Sequence, residues 1–290
     1  MNTLENKLII YDSNCRVCSS LRSAVLKLTK IPPAKIVAYK DLLPIQTEQV
    51  DADKFRNGMA VIDLQQGDTI YGSEGIAYIF STEYKAISFL LRVPLFHRVF
   101  DFLYKTVAYN RYITATPKSS FACDCFPDRV LRYRISYIII TMLLATVLTA
   151  VFGISLRGFF PGLTASAAAM SMLLLAGTGW ALQIILVSAL SASRLLSHEK
   201  ALDYIGHLGT IMVAGLLILV PWMLFYLLTG YLNPYLPVMS VAFSSGYMLY
   251  MHVKRVKHLG LSSWWTISWF IFLQLSAVCW VYILYFKDNL

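Results

Sequence analysis

Lys7-Leu8-Ile9-Ile10-Tyr11-Asp12-Ser13-Asn14-Cys15-Arg16-Val17-Cys18 reads as a strand, a polar turn and the opening of a helix. The run Lys7 to Tyr11 is short, apolar and rich in strand formers, and Asp12-Ser13-Asn14 is turn chemistry. From Cys15 to about Lys30, Leu21, Ala24, Val25 and Leu28 recur at helical spacing, and Pro32-Pro33 stops the helix. Lys35–Tyr39 reads as a second strand, Met59–Leu64 as a third and Thr69–Tyr71 as a fourth, the last two joined by the Gln66-Gly67-Asp68 turn. Strand, helix, strand and hairpin predict a small α/β sheet. Helical pattern returns at Gly75, and Phe89–Tyr112 is an aromatic-rich amphipathic stretch carrying Arg92, Arg98, Lys105 and Arg111. Such a stretch suits either a membrane surface or packing on the sheet.

The remainder of the 290 residues has another character. The chain is 57% hydrophobic and 14% charged, with a mean hydropathy of +0.59; soluble domains carry nearer ~25% charge. Residues 1–134 hold 18 of the 25 Lys and Arg and 13 of the 16 Asp and Glu, leaving the rest nearly uncharged. One soluble and one embedded module follow, with boundaries expected at residues 1–116 for the domain, 117–134 for a linker and 135–290 for the membrane part. The formal net charge of +9 is no argument for nucleic acid, because many basic residues flank apolar runs, where lipid and topology account for them.

Spans are expected near residues 135–156, 166–190, 207–229, 235–251 and 264–285, each close to the ~20 residues that cross a bilayer. Gly230-Tyr231-Leu232-Asn233-Pro234 separates the third from the fourth. Arg129, Arg132 and Arg134 precede the first span, Arg194 and Lys200 follow the second, and Lys254, Arg255 and Lys257 follow the fourth; the other side has Arg157 and Lys287. The positive-inside rule then puts the N-terminal module in the cytosol and the C-terminus outside. No secretory signal is expected in Met1–Lys7, which carries Glu5 and Lys7 before an apolar run too short for an h-region. A bacterial inner membrane is the expected location.

Five cysteines, at 15, 18, 123, 125 and 279, form two close pairs and a singleton. Such pairs in a reducing compartment point to redox or metal chemistry rather than a structural disulfide framework. Cys15 opens a helix, where unpaired N–H groups and the positive dipole end favour a thiolate, so it is the expected nucleophile. Arg16 adds charge beside it, Cys18 lies on the same face to resolve a mixed disulfide, and Asp12 caps the helix or moves a proton. Two alternatives stay open. Cys15 and Cys18 with Cys123 and Cys125 would make a four-cysteine soft-metal cage for zinc or copper, or the pair could be structural and the protein a scaffold with a degenerate redox domain.

Asp12, Cys15 and Cys18 as Asp-x-x-Cys-x-x-Cys, with Gly72-Ser73-Glu74-Gly75-Ile76, Pro94, and Tyr104 followed by Ala108-Tyr109-Asn110-Arg111-Tyr112, resemble the DCC family of thiol–disulfide oxidoreductases over residues 7–113. The resemblance implies a thioredoxin-like fold, disulfide exchange with a protein or small-molecule thiol substrate, and no required cofactor. It covers none of the membrane half. One departure is Ser13, where the family has Gly; serine narrows the backbone angles open to the turn.

Cys123 and Cys125 are candidates to relay electrons or to bind metal, and Cys279 in the fifth span reads as packing. Gln183 and Gln274 would join helices or touch a bound head group. His198, Glu199, Asp203 and His207, with His252 and His258, gather on the expected cytosolic face; interfacial anchoring, a metal or a haem would each suit them. Trp264, Trp265 and Trp269 fit an interfacial belt. Ala167–Ala169, Gly177 and Gly179 predict close helix packing. A quinone would suit a membrane thiol enzyme as electron acceptor, although no quinone or haem motif is present. The expected whole is an α/β thioredoxin-like domain followed by an all-α transmembrane bundle of about five helices.

Overall fold

A computed structural model describes residues 6–117, 126–160 and 162–283. The chain divides into two compact units, residues 1–137 and 138–290.

The first unit is built on β1 (Lys7–Tyr11), β2 (Ile36–Ala38), β3 (Ala60–Asp63) and β4 (Thr69–Tyr71), in the order β2-β1-β3-β4. β1 runs parallel to β2 and antiparallel to β3, and β3 runs antiparallel to β4. Ile9 pairs with both Ile36 and Val61, and side chains alternate across the pleat. Ile9, Ile36 and Val61 therefore share one face with Val25, Ile76 and Ile79, while Leu8, Ile10, Ala60 and Ile62 pack on the other with Val50 and Phe55. A sheet covered on both faces explains why all four residues of β3 are buried. The β3–β4 turn closes through Gly67 at φ 75°, whose N–H donates to the Asp63 carbonyl.

α1 (Arg16–Leu28) carries the expected apolar stripe, but only Cys18 and Val25 are buried in it; Leu28 is exposed at the helix end. α2 (Pro44–Glu48) and α3 (Ala52–Phe55) fill the β2–β3 connection. α4 (Gly72–Glu83) starts three residues before the expected Gly75, because Gly72 takes φ 64° and donates its N–H to the Met59 carbonyl, ending β4 and launching the helix together. α5 (Lys85–Leu91), α6 (Pro94–Ala108) and α7 (Arg111–Thr114) complete the unit. The amphipathic stretch packs on the sheet through Phe100 and Tyr104, while Phe89, Leu95, Phe96, Val99, Phe102 and Leu103 are exposed.

The C-terminal region is all-helical: α8 (Leu131–Leu156), α9 (Ala165–Ala192), α10 (His198–Thr229), α11 (Tyr235–His258) and α12 (Trp264–Val281). Four helical segments, Leu131–Phe159, Ala165–Ala192, His198–Thr229 and Trp264–Val281, are long and apolar enough to cross a membrane. The remaining helix, α11, falls outside this set by composition. The fourth span is a helix where expected, but Ser240, Ser244, Ser245 and the final turns with His252, Lys254, Arg255 and Lys257 dilute its apolar run.

Small residues set the helix spacing. A side-chain carbon on Gly153 of α8 would come within 2.5 Å of the Ala168 carbonyl oxygen on α9, and one on Gly179 within 2.9 Å of the Leu273 backbone on α12. Gly177 differs, with nothing within 4 Å. Gln183 on α9 joins three helices: its amide nitrogen donates to the Tyr204 hydroxyl of α10 at 2.8 Å, and its oxygen accepts from Ser268 of α12 at 3.3 Å. The exposed Gln274 side chain bonds no other described residue, and Cys279 is exposed rather than packed.

Candidate functional site

The turn after β1 is held by Asp12. Its carboxylate accepts the Asn14 N–H at 2.9 Å and its carbonyl accepts the Cys15 N–H at 3.3 Å, so the chain reverses just before the helix begins. Ser13 needs no left-handed backbone here; among the described residues the one non-glycine residue with positive φ is Arg194. The family's glycine is thus replaced without strain.

Cys15 takes the N-cap position of α1. Its Sγ accepts the Cys18 N–H at 3.1 Å, a role that serine or aspartate oxygens usually fill. Both sulfurs are buried, Cys15 completely, in a cluster with Tyr112 bordered by Tyr11 and Val17. The two thiols are driven apart in acidity. A hydrogen bond from the Cys18 side chain, then the Cys18 N–H and the charge of Arg111, lower Cys15 below its ordinary value, against burial and Asp12. Donating that bond, burial and the neighbouring Cys15 charge push Cys18 well up.

Arg111 is a residue that reading the sequence for chemistry missed. It is buried, with an Nη 3.7 Å from the Asp12 carboxylate, and Tyr112 donates its hydroxyl to the same oxygen at 3.2 Å. Burial and the Asp12 charge push the Tyr112 phenol upward, so it stays a donor. Arg16, expected to supply the positive charge, is exposed and gives its Nε to the Thr116 carbonyl at 3.0 Å. Arg111 is the cation whose charge lowers Cys15.

The other motif residues join elements of the same unit. Ser73 donates to Asp101 at 2.5 Å and Lys105 to its second oxygen at 2.8 Å, tying α4 to α6. Burial pushes the Asp101 carboxyl up, but these two bonds outweigh it and the net shift is downward. Tyr104 accepts the Met59 N–H at 3.3 Å, and burial pushes its phenol up to about 12. Asn110 donates to the carbonyls of Thr106 and Tyr133, at 2.7 and 2.9 Å.

Residues 9–115 match the family model described as DCC1-like thiol-disulfide oxidoreductase. This segment is a DCC1-like thiol-disulfide oxidoreductase domain. No curated protein matches the chain, and no solved structure does.

Beyond the matched segment, the chain returns to the DCC1-like domain. Phe126 packs edge-on against Tyr112 with ring centroids 4.8 Å apart. Asp128 takes a bond from the Asn57 amide at 2.7 Å, returns its own N–H to the Asn57 oxygen at 2.9 Å, and lies 3.6 Å from Arg56. Tyr133, at the start of α8, stacks on Tyr109 at 4.8 Å. Phe126 thus rests on the tyrosine that roofs the two thiols.

Cys123 and Cys125, the relay or metal candidates, lie outside the described residues. Among the described residues no three His, Cys, Asp or Glu side chains gather as a metal site. Of the histidines of the helical region, His207 and His258 lie edge to face with ring centroids 6.3 Å apart and His207 bonds Arg255 at 2.6 Å, while His198 bonds Ser191 at 2.7 Å and His252 bonds Tyr204 and Thr266 at 2.9 and 3.1 Å.

Proposed function

We propose that this protein is a membrane-bound thiol–disulfide oxidoreductase whose DCC1-like domain works through Cys15 and Cys18. The observation that supports the reading is the asymmetry of the pair: one sulfur accepts from the N–H and thiol of the other beside a buried guanidinium, so Cys15 is the more acidic thiol and Cys18 the one that holds its proton more tightly.

In this reading the Cys15 thiolate attacks one sulfur of a substrate disulfide. A Cys15–substrate disulfide forms and the other substrate sulfur leaves as thiolate. Cys18 then gives up its proton, which the departing thiolate takes, and attacks the Cys15 sulfur. That attack releases the second substrate sulfur as thiolate, so the products are a Cys15–Cys18 disulfide and a substrate carrying one thiol and one thiolate; two electrons and one proton have passed from the pair to the substrate. A second dithiol resets the pair by the same exchange. In the opposite direction, the reduced pair passes two electrons and two protons to an acceptor in the membrane; a quinone is the class that balances. Asp12, held by Tyr112 and Arg111, positions the turn and stands ready to handle the Cys18 proton.

The basic residues beside Ile138 and after α9 and α11 support a cytosolic DCC1-like domain by the positive-inside rule, in a bacterial inner membrane. That topology takes α11 as a fifth crossing. Its 24 residues reach roughly 36 Å at 1.5 Å per residue, enough for the ~30 Å hydrocarbon layer.

The test is a redox titration of the purified chain with metal analysis. A reversible two-electron couple that disappears in Cys15→Ser supports the reading. Unchanged disulfide exchange in Cys15→Ser, or stoichiometric zinc or copper on the thiols, sinks it.

A further inference from the structure

α6 is apolar on two sides. Phe100 and Tyr104 pack inward on the core beneath the sheet, whereas Leu95, Val99, Leu103 and Val107 recur at four-residue spacing and form a second stripe. That stripe faces outward: Leu95 is 68% exposed, and Phe96 and Phe102 beside it are open as well. α5, which packs against α6, adds Phe89, 72% exposed. Soluble proteins seldom leave a contiguous apolar patch of this kind in water.

Charge and chain path say what covers it. From Tyr84 to Asn110 the one carboxylate is Asp101, already held by Ser73 and Lys105. Lys85, Arg92 and Arg98 are exposed in the same stretch and make no ion pair among the described residues. Arg98 stands three residues after Leu95 and four before Phe102, which puts it on the border of the stripe, and Arg92 follows Phe89 at the same spacing. An apolar band edged by cations and free of open carboxylates is complementary to anionic lipid: acyl chains take the band, headgroups the cations. The stripe also ends at the foot of a membrane helix. α8 begins within this unit, and its Tyr133 ring lies 6.3 Å from that of Phe102 and stacks on Tyr109. From there α8 continues as the first segment long and apolar enough to cross a bilayer, Leu131–Phe159. The apolar face is thus continuous with the start of the helix that enters the lipid.

We propose that the outward face of α5 and α6 is a membrane-docking surface that lays the DCC1-like domain on an anionic bilayer, with Phe89, Leu95, Phe96 and Val99 among the acyl chains and Arg92 and Arg98 at the headgroups. Docking here is independent of the thiol chemistry above, and failure of either leaves the other standing.

The full chain, one copy per nanodisc, is irradiated in phosphatidylglycerol mixed with phosphatidylcholine that carries a diazirine in its acyl chain, and labelled peptides are read by mass spectrometry. Label is expected on residues 85–107 as well as on α9 and α12, which serve as internal standards. Leu95→Glu with Val99→Glu lowers the label on 85–107 about tenfold relative to α9, the loss expected for one buried leucine. Both side chains are open in the structure, so this variant keeps its fold, checked by an unchanged melting temperature. Omitting phosphatidylglycerol lowers the label about fivefold, and Arg92→Gln with Arg98→Gln does the same in the mixed lipid. Label confined to the helices from α8 onward, or label on 85–107 that is insensitive to either pair of substitutions, overturns the proposal. A second copy as the occupant overturns it as well: chains then cross-link through 85–107 in two-copy discs, and one-copy discs show no lipid label there.

Discussion

Arg111 and Asp12 stand 3.7 Å apart with side chains only 2% and 4% exposed, at the mouth of the turn that delivers Cys15. A buried charge pair is costly to break because the remaining ion loses its partner. Arg111→Met is therefore expected to lower domain stability by about 3–5 kcal/mol and to raise the acidity midpoint of Cys15. The two effects are separable by denaturant titration and by the pH dependence of alkylation in the folded range.

Cys18 is the first cause of the lowered Cys15 acidity midpoint. Replacing its thiol by the methyl of alanine removes a donor from the anion, so Cys18→Ala moves the alkylation midpoint of Cys15 upward. Cys18→Ser keeps a donor and moves it less. A midpoint unchanged in Cys18→Ala would refute the thiol–thiolate bond.

Asp101 links pH to stability in the acid range. Its folded carboxyl lies below the reference of 3.8, despite burial, through Lys105 and Ser73. A depressed carboxyl contributes stability above its unfolded value and loses it as pH falls through the folded one. The wild-type advantage over Asp101→Asn should be full at neutral pH and fade below about pH 4 in thermal melts. Ser73→Ala, which deletes one bond to that carboxylate, costs about 1.5–3 kcal/mol at neutral pH.

Phe126 lies against Tyr112, which covers the thiols. An aromatic pair of this kind contributes about 0.5–1.5 kcal/mol, so Phe126→Ala should speed Cys15 alkylation by roughly twofold to tenfold. Asn57→Ala, which loosens Asp128, should act in the same direction. Mass-spectrometric labelling rates at fixed pH decide it.

Gly153 and Gly177 make a matched pair in the helical unit. Alanine is the better helix former by about 1 kcal/mol, and at Gly177 it meets nothing. At Gly153 the added carbon collides with the Ala168 carbonyl. Gly177→Ala should raise or keep the melting temperature in detergent, and Gly153→Ala should lower it.

The strand, turn and helix opening at Cys15 were legible in sequence because each rests on local chemistry: strand formers, an Asx turn and a helix-start thiol. The hairpin at Gly67 was legible for the same reason. Arg111 was not, because its charge reaches Cys15 through the fold from a helix far along the chain, whereas Arg16 is adjacent in sequence but directed at Thr116. The seat of Phe126 and Asp128 on the domain was equally hidden, since nothing local announces a return contact. In the helical region, hydropathy found each helix but could not show that Gln183 is bonded across three helices while Gln274 is not.

The complete burial of Cys15 bears on how such a thiolate survives. An anionic sulfur open to solvent is the group that peroxides carry to sulfenic and then to irreversible sulfinic acid. Here the sulfur with the most thiolate character has the least surface, and Tyr112 stands over it with Phe126 behind. Small oxidants meet no exposed Cys15 sulfur, whereas under the proposed function a substrate able to displace the aromatic cover gains the nucleophile at once. In that reading reactivity and durability are reconciled by access: the sulfur is held more acidic than an ordinary thiol, and kept out of reach until something large enough arrives.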